Sequence, residues 1–234
     1  TMRYDHIAVE GLIGSGKTTL AKRLADKFNA RLVLEEFEEN PFLPRFYANK
    51  DRYAFSVELS FLAQRYHQFK KVAEQELFSP VTIADHYISK SLIFAQTNLA
   101  DDEFKLFSDL YNIMLTNLPK PQLLVYLHLE PDQLLGRINE RGRDYERAIT
   151  SEYLQDLQKS YFEHLTQLKD IRILVIDAFG IDYKNSDEEL NRIAELLDRP
   201  YGVGMNIHSF QTPWKLVKSL YFRGPAIRKQ SLIL

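Results

Sequence analysis

The sequence has 234 residues, 45% of them hydrophobic, with 30 Lys+Arg against 32 Asp+Glu and no cysteine. That length suits one well-filled core, or a core with an appendage, and a formal charge of -2 removes any overall pull toward nucleic acid or an anionic membrane. Lack of cysteine excludes disulfides, thiolate zinc sites and thiol nucleophiles. No run approaches the roughly 18 apolar residues of a spanning helix and the N-terminus shows no apolar leader, so a cytoplasmic protein is expected.

In chain order, short aliphatic runs alternate with longer stretches of helical period, the pattern of a parallel sheet with crossover helices. Five strands are expected, at His6 to Glu10, Arg31 to Glu35, Val81 to Asp85, Leu123 to Leu129 and Ile171 to Asp177. Each is mostly apolar, as a strand covered on both faces should be. Helices are expected over Lys17 to Phe28, Ser56 to Leu77, Ser89 to Asn98, Asp102 to Asn117, Pro131 to Arg141 and Ser151 to Leu168. A last helix reaches Leu197 and opens on Ser186 and Glu189, a capping-box pair. Beyond Asp198 the composition shifts: the final 36 residues carry six Lys/Arg and no acid, broken by glycines and prolines. Residues 1–198 are therefore expected to form the domain and 199–234 a basic appendage, with one possible helix at Trp214 to Phe222.

The segment Gly11-Leu-Ile-Gly-Ser-Gly-Lys-Thr18 satisfies G-x-x-x-x-G-K-[ST] and lies between the first strand and the first helix. Gly11, Gly14 and Gly16 let the backbone turn so that the amides around Ser15 and Thr19 converge on phosphate oxygens. Lys17 adds a full charge, and Thr18 offers its hydroxyl to Mg2+. Such a loop means nucleotide binding without specifying the reaction. No D-x-x-G follows the third strand, where Asp85 leads into His-Tyr-Ile, and no N-K-x-D occurs, unlike switch GTPases, which leaves small-molecule kinases in front.

In open α/β sheets, ligands collect outside the carboxyl ends of the strands. Glu35, beside Glu36, ends the second strand, and Asp85 ends the third. Glu35 is the candidate general base for an acceptor hydroxyl, and Asp85 the candidate metal or metal-water ligand. Capping or solvent exposure is the ordinary role for one such acid; two beside a phosphate loop favour chemistry.

These residues resemble the deoxynucleoside kinases, the bacterial deoxyguanosine and deoxyadenosine kinases in particular. The resemblance rests on the glycine loop, the run Glu35-Glu-Phe-Glu-Glu-Asn-Pro-Phe-Leu43 with Phe46-Tyr47, the segment Tyr53-Ala-Phe-Ser-Val-Glu58, and the stretch Arg137 to Glu146. It implies a P-loop kinase fold, an α/β architecture with a five-stranded parallel sheet in the order 2-3-1-4-5 flanked by helices, usually in a homodimer. It also implies ATP with Mg2+, a small-molecule nucleoside acceptor, and neither nucleic-acid nor membrane partners. Carried over by position, Glu35 matches the carboxylate at the 5'-hydroxyl, Tyr47 and Glu146 the pair on the 3'-hydroxyl, and Arg137, Arg141 and Arg143 the lid that clamps phosphates. The ATP adenine would lie near Ala178 to Asn185.

Two positions depart from the common family pattern. Glu58 stands where many members have a base-reading Gln; an ionised carboxylate only accepts, which suits the adjacent N1-H and N2-H of guanine. Asp85-His86-Tyr87 stands where many have acid-Arg-Ser, so the Arg beside the catalytic carboxylate is missing. His86 either takes its place or simply packs. Phe94 is the candidate to stack on the base. The expected reaction is therefore phosphorylation of a purine deoxynucleoside, deoxyguanosine first. A deoxyadenosine or broad-specificity kinase, a nucleoside monophosphate kinase and a non-catalytic nucleotide-binding module are the alternatives.

Overall fold

The computed structural model describes residues 2–36, 40–75, 81–116 and 118–210. Its sheet is parallel throughout and runs in the order β2-β3-β1-β4-β5-β6. The strands are β1 (His6–Gly11), β2 (Arg31–Val33), β3 (Thr82–Ala84), β4 (Leu123–His128), β5 (Arg172–Asp177) and β6 (Gly204–Ser209). Every residue of β1, β3 and β4 is buried, which explains why these segments read as unbroken apolar runs rather than as alternating ones.

The sheet has six strands where five are expected, and β6 lies within the stretch assigned to an appendage. Its residues are all half-buried, and it pairs on one side only, from Arg172–Gly204 to Asp177–Ser209. An edge strand needs no continuous apolar pattern, and glycines flanking a polar segment signal a loop. The tail helix expected at 214–222 lies outside the described residues.

Helices α1 (Lys17–Phe28), α4 (Ser89–Asn98), α6 (Pro131–Arg141) and α8 (Asp187–Leu197) have the expected limits, while α5 (Asp101–Leu115) and α7 (Ser151–Gln167) differ by a residue or two. α1 buries Leu20, Ala21, Leu24 and Ala25 against the sheet, where each leucine contributes about 1.5–3 kcal/mol. Ser186 caps α8 by accepting from the Glu189 N–H at 3.2 Å. Two features were not read from the sequence. A short helix α2 (Leu43–Ala48) follows the second strand, and α3 begins at Lys50, not Ser56, running 26 residues to Gln75. Asn49 starts α3, its side-chain oxygen accepting from the Arg52 N–H at 3.3 Å.

Because β3 lies between β1 and β2, the carboxyl ends of these three strands are neighbours. The glycine loop leaves β1, Glu35 follows β2, and Asp85 follows β3, so residues far apart in the chain open onto one crevice. No helix among the described residues is long and apolar enough to cross a membrane.

Candidate active site

A cavity of 470 Å³ opens over these strand ends, with Gly14, Lys17, Thr18, Glu35, Asp85 and Glu58 in its wall. The glycine loop enters it in the left-handed conformation that its sequence demands. Gly14 has φ 83° and Gly16 φ 89°, and a Cβ on Gly16 would stand 2.2 Å from the Tyr183 hydroxyl oxygen. That hydroxyl donates to the Ser15 carbonyl at 3.0 Å, and Arg137 Nη1 donates to the same oxygen at 3.3 Å. The loop is thus braced from the segment after β5 and from α6. Burial, helped by nearby Lys90, lowers the Lys17 ammonium to about 8.

Asp85 joins the loop to the second strand. Its Oδ2 accepts from Thr18 Oγ1 at 2.5 Å and its Oδ1 from the Glu35 N–H at 2.7 Å. Despite burial, hydrogen bonds from His86 and Thr18 keep its carboxyl below the usual range. Thr18 and Asp85 are hard oxygen donors in contact with one another. No cluster of three or more His, Asp or Glu able to hold a metal occurs among the described residues. Mg2+ does not require one here, since it keeps several waters and takes one or two protein oxygens plus substrate phosphates. The donor set fits Mg2+ with Thr18 and Asp85 as its protein side.

The Glu35 carboxylate meets two cations. Arg65, from α3, donates Nε and Nη2 to Oε1 at 2.9 and 2.5 Å, and Lys90, from α4, bonds Oε2. Burial alone would raise this carboxyl, but Lys90 and then Arg65 overcome that and hold it well below the ordinary value. Arg65 is itself fixed by donating Nη1 to Ser91 Oγ at 2.6 Å. The charge missing from the Asp85-His86-Tyr87 triplet therefore comes from two other helices. His86, fully buried, contacts Asp85 Oδ1 at 3.2 Å and packs edge-on against Phe69, outside the cavity wall.

The segment expected to form the lid folds toward the same cavity. Arg141 closes on Glu146, with Nε at 3.1 Å from Oε2 and Nη2 at 2.6 Å from both carboxylate oxygens, while Arg143 Nη1 stands 3.6 Å from Oε1. Arg141, Arg143 and Glu146 line the cavity; Arg137 sits on the glycine loop instead. The Tyr47 ring stacks on Tyr145 at 6.0 Å, bringing α2 against the turn Asp144–Ala148. Gly11, Ser15, Gly16 and Thr19 lie behind the wall. The segment from Ala178 to Asn185 packs beside α1, where Arg23 donates to the Tyr183 and Lys184 carbonyls.

At the far end, Glu58 is buried and accepts from Asn98 Nδ2 at 2.7 Å. Burial pushes its carboxyl up to about 7. Phe94, Tyr153 and Phe61 line this end, with the Lys90 ammonium 5.5 Å from the Phe94 ring centroid. Arg65, Lys90, Tyr145 and Tyr153 went unassigned from the sequence as nucleoside-site residues. A signal existed for Arg65, which lies seven residues after Glu58 and so on the same face of α3 two turns on. Lys90 gave none, because the Lys90–Glu35 contact depends on how α4 packs.

A phosphate loop braced over a parallel sheet, a carboxylate beyond the next strand end but one and arginines from the segment after α6 in one cavity wall define a P-loop phosphotransferase. The sequence profile of the family described as deoxynucleoside kinase matches residues 7–199, and the chain belongs to that family and is a kinase. It is 36% identical over 194 residues to the deoxyguanosine kinase of Bacillus subtilis, covering 80% of this chain and 93% of that protein. It is 34% identical over 177 residues to the deoxyadenosine kinase of Dictyostelium discoideum, covering 72% and 69%. Its fold is similar to the structure of deoxyadenosine kinase from M. mycoides with bound dATP, with TM-score 0.73, 27% identity, and 83% and 100% coverage.

Proposed function

We propose that this chain transfers the γ-phosphoryl group of ATP to the 5'-hydroxyl of a purine deoxynucleoside, deoxyguanosine preferred. The observation that carries this reading is the Glu35 carboxylate, ionised by Arg65 and Lys90, in the wall that also holds Lys17 and Thr18. A hydroxyl hydrogen-bonded to Glu35 would face the phosphate loop and give its proton to that carboxylate late in a loose transfer. Lys17, Arg141 and Arg143 would neutralise the phosphate oxygens, and Tyr47 with Glu146 would hold the 3'-hydroxyl so that the 5'-oxygen is aligned. When bound, Mg2+ would be held by Thr18 and Asp85 and would supply positive charge that neutralises the phosphates.

Acceptance of a nucleoside rather than a monophosphate is supported by Arg65, the one arginine of α3 suited to an acceptor phosphate, which is committed to Glu35 and Ser91. The guanine preference rests on Glu58 as an acceptor-only group. Relatives named deoxyadenosine and deoxyadenosine/deoxycytidine kinase support a second reading, with deoxyadenosine as an additional substrate, and the raised Glu58 carboxyl favours it because a protonated acid also donates. Family resemblance carries the expectation of a cytoplasmic homodimer.

The test is a panel of natural nucleosides and their monophosphates with ATP and Mg2+, scored for ADP formation and product identity. Conversion of deoxyguanosine to its 5'-monophosphate is expected to lead. Turnover of monophosphates alone, or no ADP with any nucleoside, would remove the proposal.

A further inference from the structure

Asn98 is the last residue of α4 and is absent from the cavity wall, yet it donates Nδ2 to Glu58 Oε1 at 2.7 Å. Its other side-chain atom, Oδ1, is buried and has no hydrogen-bond partner among the described residues. The amide lies between Glu58, to which it donates, and the Tyr153 phenol, which it also faces. Turned over, Oδ1 would face a carboxylate oxygen, lone pair against lone pair, unless Glu58 carried a proton. A donor fixed behind one oxygen favours the ionised acid.

We propose that Asn98 is a specificity-determining positioning residue, holding Glu58 in the form that can only accept hydrogen bonds and so biasing the site toward guanine over adenine. This rests on the reading that Glu58 faces the base. Guanine presents N1-H and N2-H side by side, and the carboxylate can accept both while Oε1 keeps its bond from Asn98, because each oxygen has two lone pairs. Adenine presents the N6-H donor beside the N1 acceptor. It needs a partner that accepts and donates, which Glu58 becomes on protonation. Loss of the Asn98 donor thus shifts the site toward adenine without altering the cavity wall.

The charged and titratable groups around Glu58 do not blur this effect. Arg65 and Lys50 face it from its own helix, Lys90 from α4, Glu35 from the end of β2, and the phenols Tyr47 and Tyr153 from α2 and α7. Burial moves both phenols upward, and the two cations keep Glu35 ionised, so these three hold their state near neutrality. With Glu58 at about 7, both of its forms are populated there. Groups that serve catalysis with either purine, Lys17 included, cancel in a ratio of two substrates.

The experiment measures kcat/KM for deoxyguanosine and deoxyadenosine with ATP and Mg2+ on either side of pH 7, in the full chain and in Asn98→Leu, Asn98→Ala and Glu58→Gln. In the unaltered chain the guanine-to-adenine ratio is expected to rise with pH as Glu58 ionises. Asn98→Leu and Asn98→Ala should lower the ratio about tenfold at neutrality and move its midpoint to higher pH, as loss of a hydrogen bond to a charged group requires. Glu58→Gln should make the ratio low and independent of pH. A purely structural Asn98 would change melting temperature and both kcat/KM values together, with the midpoint unmoved, and that result overturns the proposal. If Glu58→Gln changes the ratio while the Asn98 variants do not, only Asn98 is refuted; if Glu58→Gln leaves the ratio unchanged, the base-reading role of Glu58 fails first. A ratio flat with pH in the unaltered chain likewise overturns the proposal.

Discussion

Arg65 and Glu35, thirty residues apart, form a buried ion pair in which Nε and Nη2 both donate to Oε1, leaving Oε2 to Lys90. The carboxylate is thereby kept charged inside the fold, ready to accept a proton. Replacing it has two consequences. Glu35→Gln should lower kcat by about a hundredfold or more with little change in nucleoside KM, as expected for a lost general base. It should also leave two buried cations facing a neutral amide, costing about 3–5 kcal/mol of stability. Thermal melts beside single-turnover kinetics separate the two, and near-normal turnover in a folded variant would move the catalytic role to another carboxylate.

Lys90→Met tests the second cation. Glu35 lies below its ordinary value chiefly through Lys90, so removing that charge must raise the carboxyl, and the acid limb of the kcat/KM profile should move to higher pH. Lys90→Arg should restore the limb. An acid limb identical in Lys90→Met would show that the base is not Glu35 or that Arg65 alone sets its charge.

Glu146 carries Arg141 on both carboxylate oxygens. Glu146→Gln should weaken both that pair and any hold on a sugar hydroxyl, raising the nucleoside KM by about tenfold, the equivalent of about 1.4 kcal/mol. A nucleoside lacking the 3'-hydroxyl should be discriminated against less by Glu146→Gln than by the unaltered chain. Equal discrimination by both proteins would move 3'-recognition elsewhere.

Gly16→Ala should abolish tight ATP binding. Its φ of 89° strains any residue with a Cβ, at about 1–3 kcal/mol, and the added carbon would meet the Tyr183 hydroxyl. Removing that hydroxyl with Tyr183→Phe should rescue only the steric part. Full recovery in the double variant, read by nucleotide titration, would show the backbone conformation to be unimportant.

Truncation after Asp198 should lower the melting temperature, because it removes β6 and the six-residue register from Arg172–Gly204 to Asp177–Ser209 that covers the edge of β5. An unchanged melting temperature would mean that β6 adds nothing to the sheet.

The parts of this protein legible in the sequence are those whose physics is local. The glycine loop is eight consecutive residues whose amides, glycines and lysine act together, so motif and structure coincide. Strands buried on both faces and helices with Pro131 or Ser186 at their starts are likewise written in adjacent residues. Strand ends singled out Asp85 and Glu35, although β2 stops at Val33 and Glu35 lies in the loop after it, because parallel topology sends these ends to one edge.

Partner choice within the site was decided by the tertiary structure. Arg65, Lys90 and Asn98 reach Glu35 and Glu58 across gaps of 30, 55 and 40 residues, which depend on how α3 and α4 pack against the sheet. β6 escaped notice because an edge strand needs apolar cover on only part of its surface, and His86 could be placed only once Phe69 was seen beside it. Helical period and turn chemistry are encoded residue by residue. The charge state of a buried carboxylate depends instead on what the whole fold brings within a few ångströms of it.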